Sequence, residues 1–299
     1  MKVVKIEHVF VIGGGTMGRG IASLSALSGY ATGVYETDPG LRETLRFAIE
    51  SSWERAAAKG KLAPGAAAAA SGRLTVAQSL GEASAADLAV EAVPESLALK
   101  AAVFEELGRV CRPDAVLGSN TSSLSITAIA RAAPRPERVV GIHFFNPVAA
   151  MPLVEIVRGR KTSESTVASA VAFAESLGKT AIRVEDSPGF ATSRLGVAIG
   201  LEAMRMVEEG VAGAADIDRA MELGYGHRMG PLKTSDLVGL DARLSIAETL
   251  SKDLPGERFT PPELLRRLVA EGKTGKKSGE GFYRWDGEIA VAVDRRKTP

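Results

Sequence analysis

The residues Gly13-Gly14-Gly15-Thr16-Met17-Gly18, which directly follow the apolar residues 9–12, decide the fold of this chain. They match the pattern G-x-G-x-x-G at the junction of a predicted strand and a predicted helix. There the first glycine permits a tight turn, the second lets the backbone approach a pyrophosphate, and the third lets helix pack against strand. Phosphates are favoured at such a helix N-terminus. The residues predicted to bind a dinucleotide are Gly13, Gly15, Thr16, Met17 and Gly18.

An acidic residue ends the next predicted strand, residues 32–35. Glu36 stands where a carboxylate can accept the ribose 2′-OH, and the same charge repels a 2′-phosphate, so the pattern favours NAD over NADP. The alternative is that Glu36 caps the helix that begins near Pro39. Asp38 is better placed for that cap.

Short apolar runs alternate with helical stretches from residue 9 to about residue 184, which predicts an α/β fold. We expect a Rossmann-type, doubly wound, mostly parallel sheet domain followed by an all-helical C-terminal domain. The domains are residues 1–186 and 187–285, and residues 286–299 are expected to form a disordered tail. Predicted strands cover residues 9–12, 32–35, 88–91, 115–118, 139–143, 153–157 and 181–184. Predicted C-terminal helices cover residues 190–209, 216–223, 231–250 and 262–271.

The composition excludes several classes of protein. The chain of 299 residues is 45% apolar with a formal charge of +1, so it can bury a full core but offers no basic field for nucleic acid. No apolar run reaches the roughly 18 to 20 residues that span a bilayer. Cys111 is the single cysteine, which suits a reducing compartment. We expect a cytoplasmic protein without a metal site.

Polar residues that could carry chemistry follow three later strands. Ser119-Asn120-Thr121-Ser122-Ser123 closes one strand, His143-Phe144-Phe145-Asn146-Pro147 closes the next, and Glu155 lies in the third. His143 is the one of three histidines that an apolar strand precedes and a proline turn follows. A base, a group that orients it and a hydroxyl for the substrate oxygen are the minimum needed to oxidise an alcohol.

The link between His143 and Glu155 is too short for a crossover helix, so their strands are expected to be antiparallel neighbours. Both side chains can then face one cleft. A carboxylate on one imidazole nitrogen fixes the tautomer and stabilises the imidazolium that forms when the other nitrogen takes a proton. Two alternatives remain: a purely structural His–Glu bond at a sheet edge, and Thr121 or Ser122 serving only to cap a helix over residues 126–130.

These segments resemble the 3-hydroxyacyl-CoA dehydrogenase family over nearly the whole chain, from about Ile6 to Tyr283. The most distinctive matches are Gly141-Ile142-His143-Phe144-Phe145-Asn146-Pro147 and the stretch from Gly230-Pro231 to Gly239-Leu240-Asp241. The matching segments are the glycine fingerprint and residues 90–95, 119–126, 141–157, 186–194, 220–241 and 275–283.

The resemblance implies an NAD-dependent enzyme that oxidises an L-(S)-3-hydroxyacyl-CoA reversibly and forms a homodimer through its helical domain. It makes His143 the general base, Glu155 its orienting partner and Ser122 a hydrogen-bond partner of the substrate oxygen. Residues that it places at the cofactor are Glu91, Ser96, Ser122 and Lys277. It places Ser52 and Lys59 at coenzyme A, and for Lys59 the alternative is a solvated lysine at a helix end.

One position departs from the family. In Pro188-Gly189-Phe190-Ala191-Thr192-Ser193-Arg194 the family usually has a catalytic-site asparagine before the arginine, and this chain has Ser193. Serine is shorter than asparagine and offers one rotatable hydroxyl. The resemblance therefore does not fix the catalytic efficiency of this chain or its substrate. The rival functions are a gulonate-type dehydrogenase of a hydroxy acid without CoA, a β-hydroxyacid dehydrogenase that uses a lysine on its helical domain, and a non-catalytic NAD-binding relative.

Overall fold

The structure is a computed structural model that describes residues 3–296. The chain divides into two compact units, Met1–Ser187 and Pro188–Pro299. Across the described residues, no helix is long and apolar enough to cross a membrane.

The first unit is built on one eight-stranded sheet. Its described strands are β1 (His8–Ile12), β2 (Ala31–Tyr35), β3 (Leu74–Ala77), β4 (Leu88–Glu91), β5 (Val116–Ser119), β6 (Val139–Phe144), β7 (Leu153–Arg158) and β8 (Thr180–Glu185). They lie in the order β3-β2-β1-β4-β5-β6-β7-β8. All neighbours are parallel except β6 and β7. The structure confirms the mostly parallel sheet and the antiparallel pair; β3 was not predicted, because it is a short, half-exposed edge strand.

Six described helices flank this sheet. They are α1 (Thr16–Leu27), α2 (Pro39–Ala58), α3 (Ala66–Ser71), α4 (Leu97–Val110), α5 (Ile126–Ala130) and α6 (Glu164–Ser176). Asp38 caps α2 by accepting a bond from the Leu41 amide at 2.9 Å, as predicted. The alternative that Thr121 or Ser122 caps α5 is wrong: Ser125 caps it, accepting from the Ala128 amide at 3.1 Å.

The chain order of the strands places a crevice at one edge of the sheet. Residues of β4 and β6 are buried throughout, as expected of strands covered on both faces. The order reverses at β1, which lies between β2 and β4. In doubly wound sheets, ligands bind outside the carboxyl ends of the strands at such a reversal.

The second unit is mainly helical, as predicted. Its described helices are α7 (Thr192–Glu208), α8 (Ala214–Tyr225), α9 (Pro231–Val238), α10 (Leu240–Asp253) and α11 (Glu263–Ala270). The single helix predicted over residues 231–250 is wrong, because Gly239 takes a φ of 102° and separates α9 from α10.

The all-helical expectation needs a further correction in the tail. Strands β9 (Tyr283–Asp286) and β10 (Ile289–Ala292) pair antiparallel around Gly287, whose φ is 56°. Asp286-Gly287 is a strong hairpin signal that the sequence interpretation overlooked. Residues 289–292 are therefore a strand rather than disordered, and residues 297–299 lie outside the described part of the chain.

Two buried carboxylates tie the hairpin to the helices of the second unit. Asp236 accepts bonds from the amides of Phe282 and Tyr283, at 3.0 and 2.9 Å. Asp218 accepts from the Tyr283 hydroxyl at 2.7 Å and from the Leu232 amide at 2.8 Å. Burial raises the pKa of both carboxyls.

A buried ion pair joins α4 to β4 in the first unit. The Lys100 ammonium lies 2.7 Å from Glu91 Oε1, and the two side chains are 1% and 0% exposed. The other oxygen of Glu91 accepts from the Ser119 hydroxyl on β5 at 2.7 Å. The ammonium also lies 3.3 Å from Glu95 Oε2. One cation therefore serves two carboxylates at the carboxyl end of β4.

We predict that Lys100→Met lowers the free energy of unfolding by about 3–5 kcal/mol, because it leaves the Glu91 carboxylate buried without its counter-ion. Urea unfolding measures the change. Adding Glu91→Gln should recover part of the loss, since the double variant buries no net charge. Lys252→Met, at an exposed position, is the control. A loss no larger than that of the control would contradict the prediction.

Candidate active site

The imidazole and the carboxylate that the sequence singled out form a pair across two strands. His143 on β6 lies opposite Glu155 on β7 in the antiparallel register. Nδ1 of His143 is 2.8 Å from Oε2 of Glu155, and the carboxylate side chain is fully buried. A buried carboxylate on Nδ1 holds the proton there and puts the lone pair on Nε2. The predicted pairing is confirmed; its catalytic use is taken up below.

Neighbouring residues hold the imidazole in place. The ring of Phe145 packs against that of His143 with 4.4 Å between centroids. Asn120, just past β5, accepts a bond from the Phe144 amide at 2.9 Å through Oδ1. The backbone N–H of Asn120 in turn donates to the backbone carbonyl of Glu91 at 2.8 Å. The carboxyl ends of β4, β5 and β6 are thereby joined, a role for Asn120 that the sequence interpretation did not assign.

A single carboxylate oxygen organises the loop that carries Ser122. Glu95 Oε1 accepts from the Thr121 hydroxyl at 2.5 Å and from the Ser122 and Ser123 amides at 3.1 and 3.2 Å. Burial opposes ionisation of Glu95, but the Thr121 bond and the charge of Lys100 outweigh it and lower its pKa. Glu95 is therefore an anion that accepts hydrogen bonds from the loop of residues 121–123.

These side chains line a cavity of about 330 Å³ in the first unit. It contains His143 and Ser122, which the sequence predicted, and Met17 of the glycine fingerprint. Glu95 and Asn120, which the sequence did not predict, also line it. The full lining is Met17, Ala92, Val93, Glu95, Asn120, Ser122, His143, Phe144, Phe145 and Asn146.

The glycine fingerprint has the geometry of a phosphate site. Gly13 has a φ of 103°, and a Cβ on Gly18 would fall 1.8 Å from the Gly13 carbonyl oxygen, so both must be glycine for the strand and helix to meet. A Cβ on Gly15 would meet nothing within 4 Å. The turn therefore leaves open space in front of α1, which begins at Thr16. This arrangement fits a dinucleotide pyrophosphate.

Glu36, the residue after β2, holds this turn. Its Oε2 accepts from the Gly14 amide at 2.7 Å and its Oε1 from the Asp38 amide at 2.9 Å. Partial burial opposes ionisation, but these amide bonds lower the pKa of Glu36. The carboxylate is thus fixed beside the predicted pyrophosphate turn.

Two predicted cofactor contacts lie in unexpected surroundings. The Glu91 side chain is fully buried and its oxygens are bonded to Lys100, Val93 and Ser119. Ser96 caps α4, with its hydroxyl 3.5 Å from the Leu99 amide. On the same segment, Glu95 is the acidic residue that lines the cavity.

A second cavity, of about 600 Å³, lies between α1, α2 and the loop after β6. Ser52 lines it, whereas Lys59 is not among its lining residues. Two cations that the sequence interpretation did not single out, Arg19 and Arg55, do line it. Arg55 precedes Lys59 by one helical turn, so helix periodicity on α2 could have suggested it.

The remaining two predicted residues belong to the second unit. Ser193 lies in the first turn of α7. Lys277 lies in a short 3₁₀ turn, Lys276–Ser278, and its ammonium is 2.6 Å from Asp241 Oδ2.

The chain matches known proteins over nearly its whole length. The sequence model of the 3-hydroxyacyl-CoA dehydrogenase NAD-binding domain family matches residues 8–187. The sequence model of the 3-hydroxyacyl-CoA dehydrogenase C-terminal domain family matches residues 189–285. A probable 3-hydroxybutyryl-CoA dehydrogenase of Bacillus subtilis is 43% identical over 95% of this chain and 99% of its own.

Two further proteins extend the comparison. The 3-hydroxybutyryl-CoA dehydrogenase of Mycobacterium tuberculosis is 45% identical over 93% of this chain and 98% of its own. The crystal structure of (S)-3-hydroxybutyryl-CoA dehydrogenase from Ralstonia eutropha superposes with a TM-score of 0.90 at 35% identity, covering 94% and 100% of the two chains. The chain therefore belongs to the 3-hydroxyacyl-CoA dehydrogenase family of NAD-dependent oxidoreductases.

Proposed function

We propose that this protein oxidises an L-(S)-3-hydroxyacyl-CoA to the 3-oxoacyl-CoA, and reverses the reaction, with His143 as general base. The observation that carries the proposal is the buried 2.8 Å bond between His143 Nδ1 and Glu155, beside a cavity that also contains Ser122. The (S) preference is that of the Ralstonia eutropha relative, an (S)-3-hydroxybutyryl-CoA dehydrogenase.

The chemistry follows from the tautomer. Glu155 keeps a proton on Nδ1, so Nε2 takes the proton of the 3-hydroxyl and the carboxylate compensates the imidazolium that forms. The Ser122 hydroxyl, which lies 3.4 Å from Glu95 Oε1, would turn its one proton to the substrate oxygen. Bound NAD supplies the acceptor for the hydride that leaves C3. In the reverse direction the imidazolium returns its proton to the oxygen.

The cofactor site is assigned to the fingerprint turn and Glu36. Glu36 is ionised and fixed at the end of β2, where it can accept a ribose hydroxyl and repel a 2′-phosphate, which favours NAD. For Glu91 and Ser96 we propose indirect roles, because the first anchors Lys100 and the second caps α4. Lys277 stays a predicted contact.

The larger cavity is assigned to part of coenzyme A. Ser52, Arg19 and Arg55 line it, and guanidinium groups suit phosphates. Lys59 then acts at the exposed end of α2, beyond the lining. Ser193 is proposed to stand in for the family asparagine with a weaker contact to the substrate.

The helical unit is assigned to homodimer formation. Leu195 and Ile199, one helical turn apart on α7, are 63% and 39% exposed, so they form an apolar patch on one face of the helix. A groove of about 410 Å³ beside them is lined almost entirely by apolar side chains of α7 and α8, among them Met206 and Met221.

The cytoplasmic location stays a prediction.

Turnover of a matched substrate panel tests the proposal. With NADH, we expect reduction of acetoacetyl-CoA and none of free acetoacetate; with NAD, we expect no oxidation of L-gulonate. Activity confined to the free acids would contradict the CoA assignment. Tight NADH binding without any turnover would identify a non-catalytic relative.

The same panel measures the cost of the departure at position 193. We expect Ser193→Asn to raise kcat/KM for acetoacetyl-CoA, by up to roughly 10²-fold, because it restores a placed polar contact to the substrate. A fall in kcat/KM would instead show that the site is built around the serine.

We predict that Glu155→Gln lowers kcat for acetoacetyl-CoA by about 10²–10⁴-fold with little change in KM, because the imidazole loses its tautomer and its counter-charge. His143→Gln should lose a similar factor. The double variant should be scarcely worse than either single variant, since the two residues act as one unit. Glu164→Gln, at an exposed position of α6, is the control. A rate near wild type for Glu155→Gln would favour the purely structural bond.

We predict a dimer in sedimentation analysis that Ile199→Glu converts to monomer, because the interface would have to bury an unpaired charge. Leu41→Glu, on the exposed surface of α2 in the first unit, should leave the dimer intact. A monomeric wild-type protein, or equal effects of the two substitutions, would contradict the assignment of α7.

A further inference from the structure

One buried lysine bonds only to backbone carbonyls. The Lys179 side chain, which begins next to β8, places its ammonium 2.7 Å from the Val148 carbonyl oxygen, 2.8 Å from that of Met151 and 3.4 Å from that of Ala149. An ammonium has three N–H donors, and here three carbonyls accept them. The residue is 8% exposed, and burial lowers the pKa of its amine.

The three carbonyls belong to the loop that connects His143 to Glu155. Within the loop, the amides of Ala150 and Met151 both bond to the Pro147 carbonyl, at 3.0 Å each. Those bonds close a turn but do not tie it to the rest of the unit. Lys179 ties residues 148, 149 and 151 to the end of α6, because its backbone amide is itself bonded to the Ala174 carbonyl at 3.1 Å. The Thr180 amide holds the next residue of the loop by donating to the Pro152 carbonyl at 2.7 Å.

The loop is a shared wall of both cavities. Asn146 lines the cavity beside His143 and also the cavity beside Ser52. Val148 lines the second cavity and is buried against α1, where a Cβ on Gly20 would lie 2.8 Å from its Cγ2. A shift of this loop would therefore change the shape of both cavities.

We propose that Lys179 is a positioning residue of the substrate site, whose ammonium holds the loop of residues 146–151 as the wall between the two cavities. The proposal rests on the proposed function, because it assigns those cavities to the acyl-CoA. Lys179 itself touches neither cavity, so it acts through the three carbonyls.

Lys179→Met tests the proposal, because methionine keeps the length of the side chain and removes the charge and the donors. We expect kcat/KM for acetoacetyl-CoA to fall by roughly 10- to 100-fold, within the ~10²-fold penalty for misplacing a site by an ångström. The fall should be carried mainly by KM for acetoacetyl-CoA, while KM for NADH changes little. The amides of residues 148–151 should exchange with deuterium faster than in the wild type.

Leu177→Ala is the matched control, since it removes buried packing two residues away and keeps the ammonium. It should lower the melting temperature without changing KM for acetoacetyl-CoA. Lys179→Arg, which keeps the charge and donors, should recover part of the loss. Unchanged loop exchange in Lys179→Met, or equal changes of KM in the methionine and alanine variants, would overturn the proposal.

Two further measurements keep the proposal testable. If the wild type does not reduce acetoacetyl-CoA, the proposed function fails, while loop exchange in the ligand-free variant still tests whether Lys179 holds the loop. If Lys179→Met does not fold, Lys179→Gln, which removes the charge and shortens the side chain but keeps N–H donors, takes its place. Exchange of the amides of residues 148–151 no faster in that variant than in the wild type would overturn the proposal.

Discussion

The bond between His143 and Glu155 is the interaction on which the rest of the site depends. It exists because β6 and β7 are antiparallel in a sheet that is otherwise parallel. A directly opposed cross-strand pair places two side chains on the same face about 5 Å apart at Cβ, and the sheet register then fixes their separation without any contribution from a loop. The imidazole is therefore positioned by the sheet itself rather than by a loop.

A second constraint acts on the loop of residues 121–123, which carries Ser122. Lys100 supplies one buried charge to Glu91 and Glu95, and Glu95 organises the turn that carries Ser122. A carboxylate thus holds each side of the cavity: Glu155 on the neighbouring strand bonds the imidazole, and Glu95, kept ionised by the Thr121 hydroxyl and by Lys100, bonds the turn that carries Ser122. Preorganised groups of this kind lose little free energy to reorientation when charge develops in the reaction.

The sequence predicted a structural feature correctly where the residues that determine it lie close together in the chain. The glycine fingerprint, the cap at Asp38 and the pairing of His143 with Glu155 each follow from residues close together in the chain. The sequence did not predict a contact where the hydrogen-bond partner lies far away in the chain. Nothing near Lys179 shows that its ammonium meets carbonyls about thirty residues earlier.

The carboxyl end of β4 shows the same limit. Glu91 is buried and paired with Lys100 of α4, whereas Glu95 lines the cavity, and the residues around the two glutamates do not reveal this difference. The helix break at Gly239 was missed for a different reason, since one glycine does not by itself end a helical pattern.

The most direct test of the account is the tautomer of His143. With three histidines in the chain, ¹⁵N-histidine labelling and a His143→Gln variant assign its resonances. In the neutral wild-type imidazole, we expect a protonated, pyrrole-type Nδ1 and a pyridine-type Nε2, with that preference lost in Glu155→Gln. A proton found on Nε2 of the wild type would contradict it, because that nitrogen could not then accept the substrate's proton.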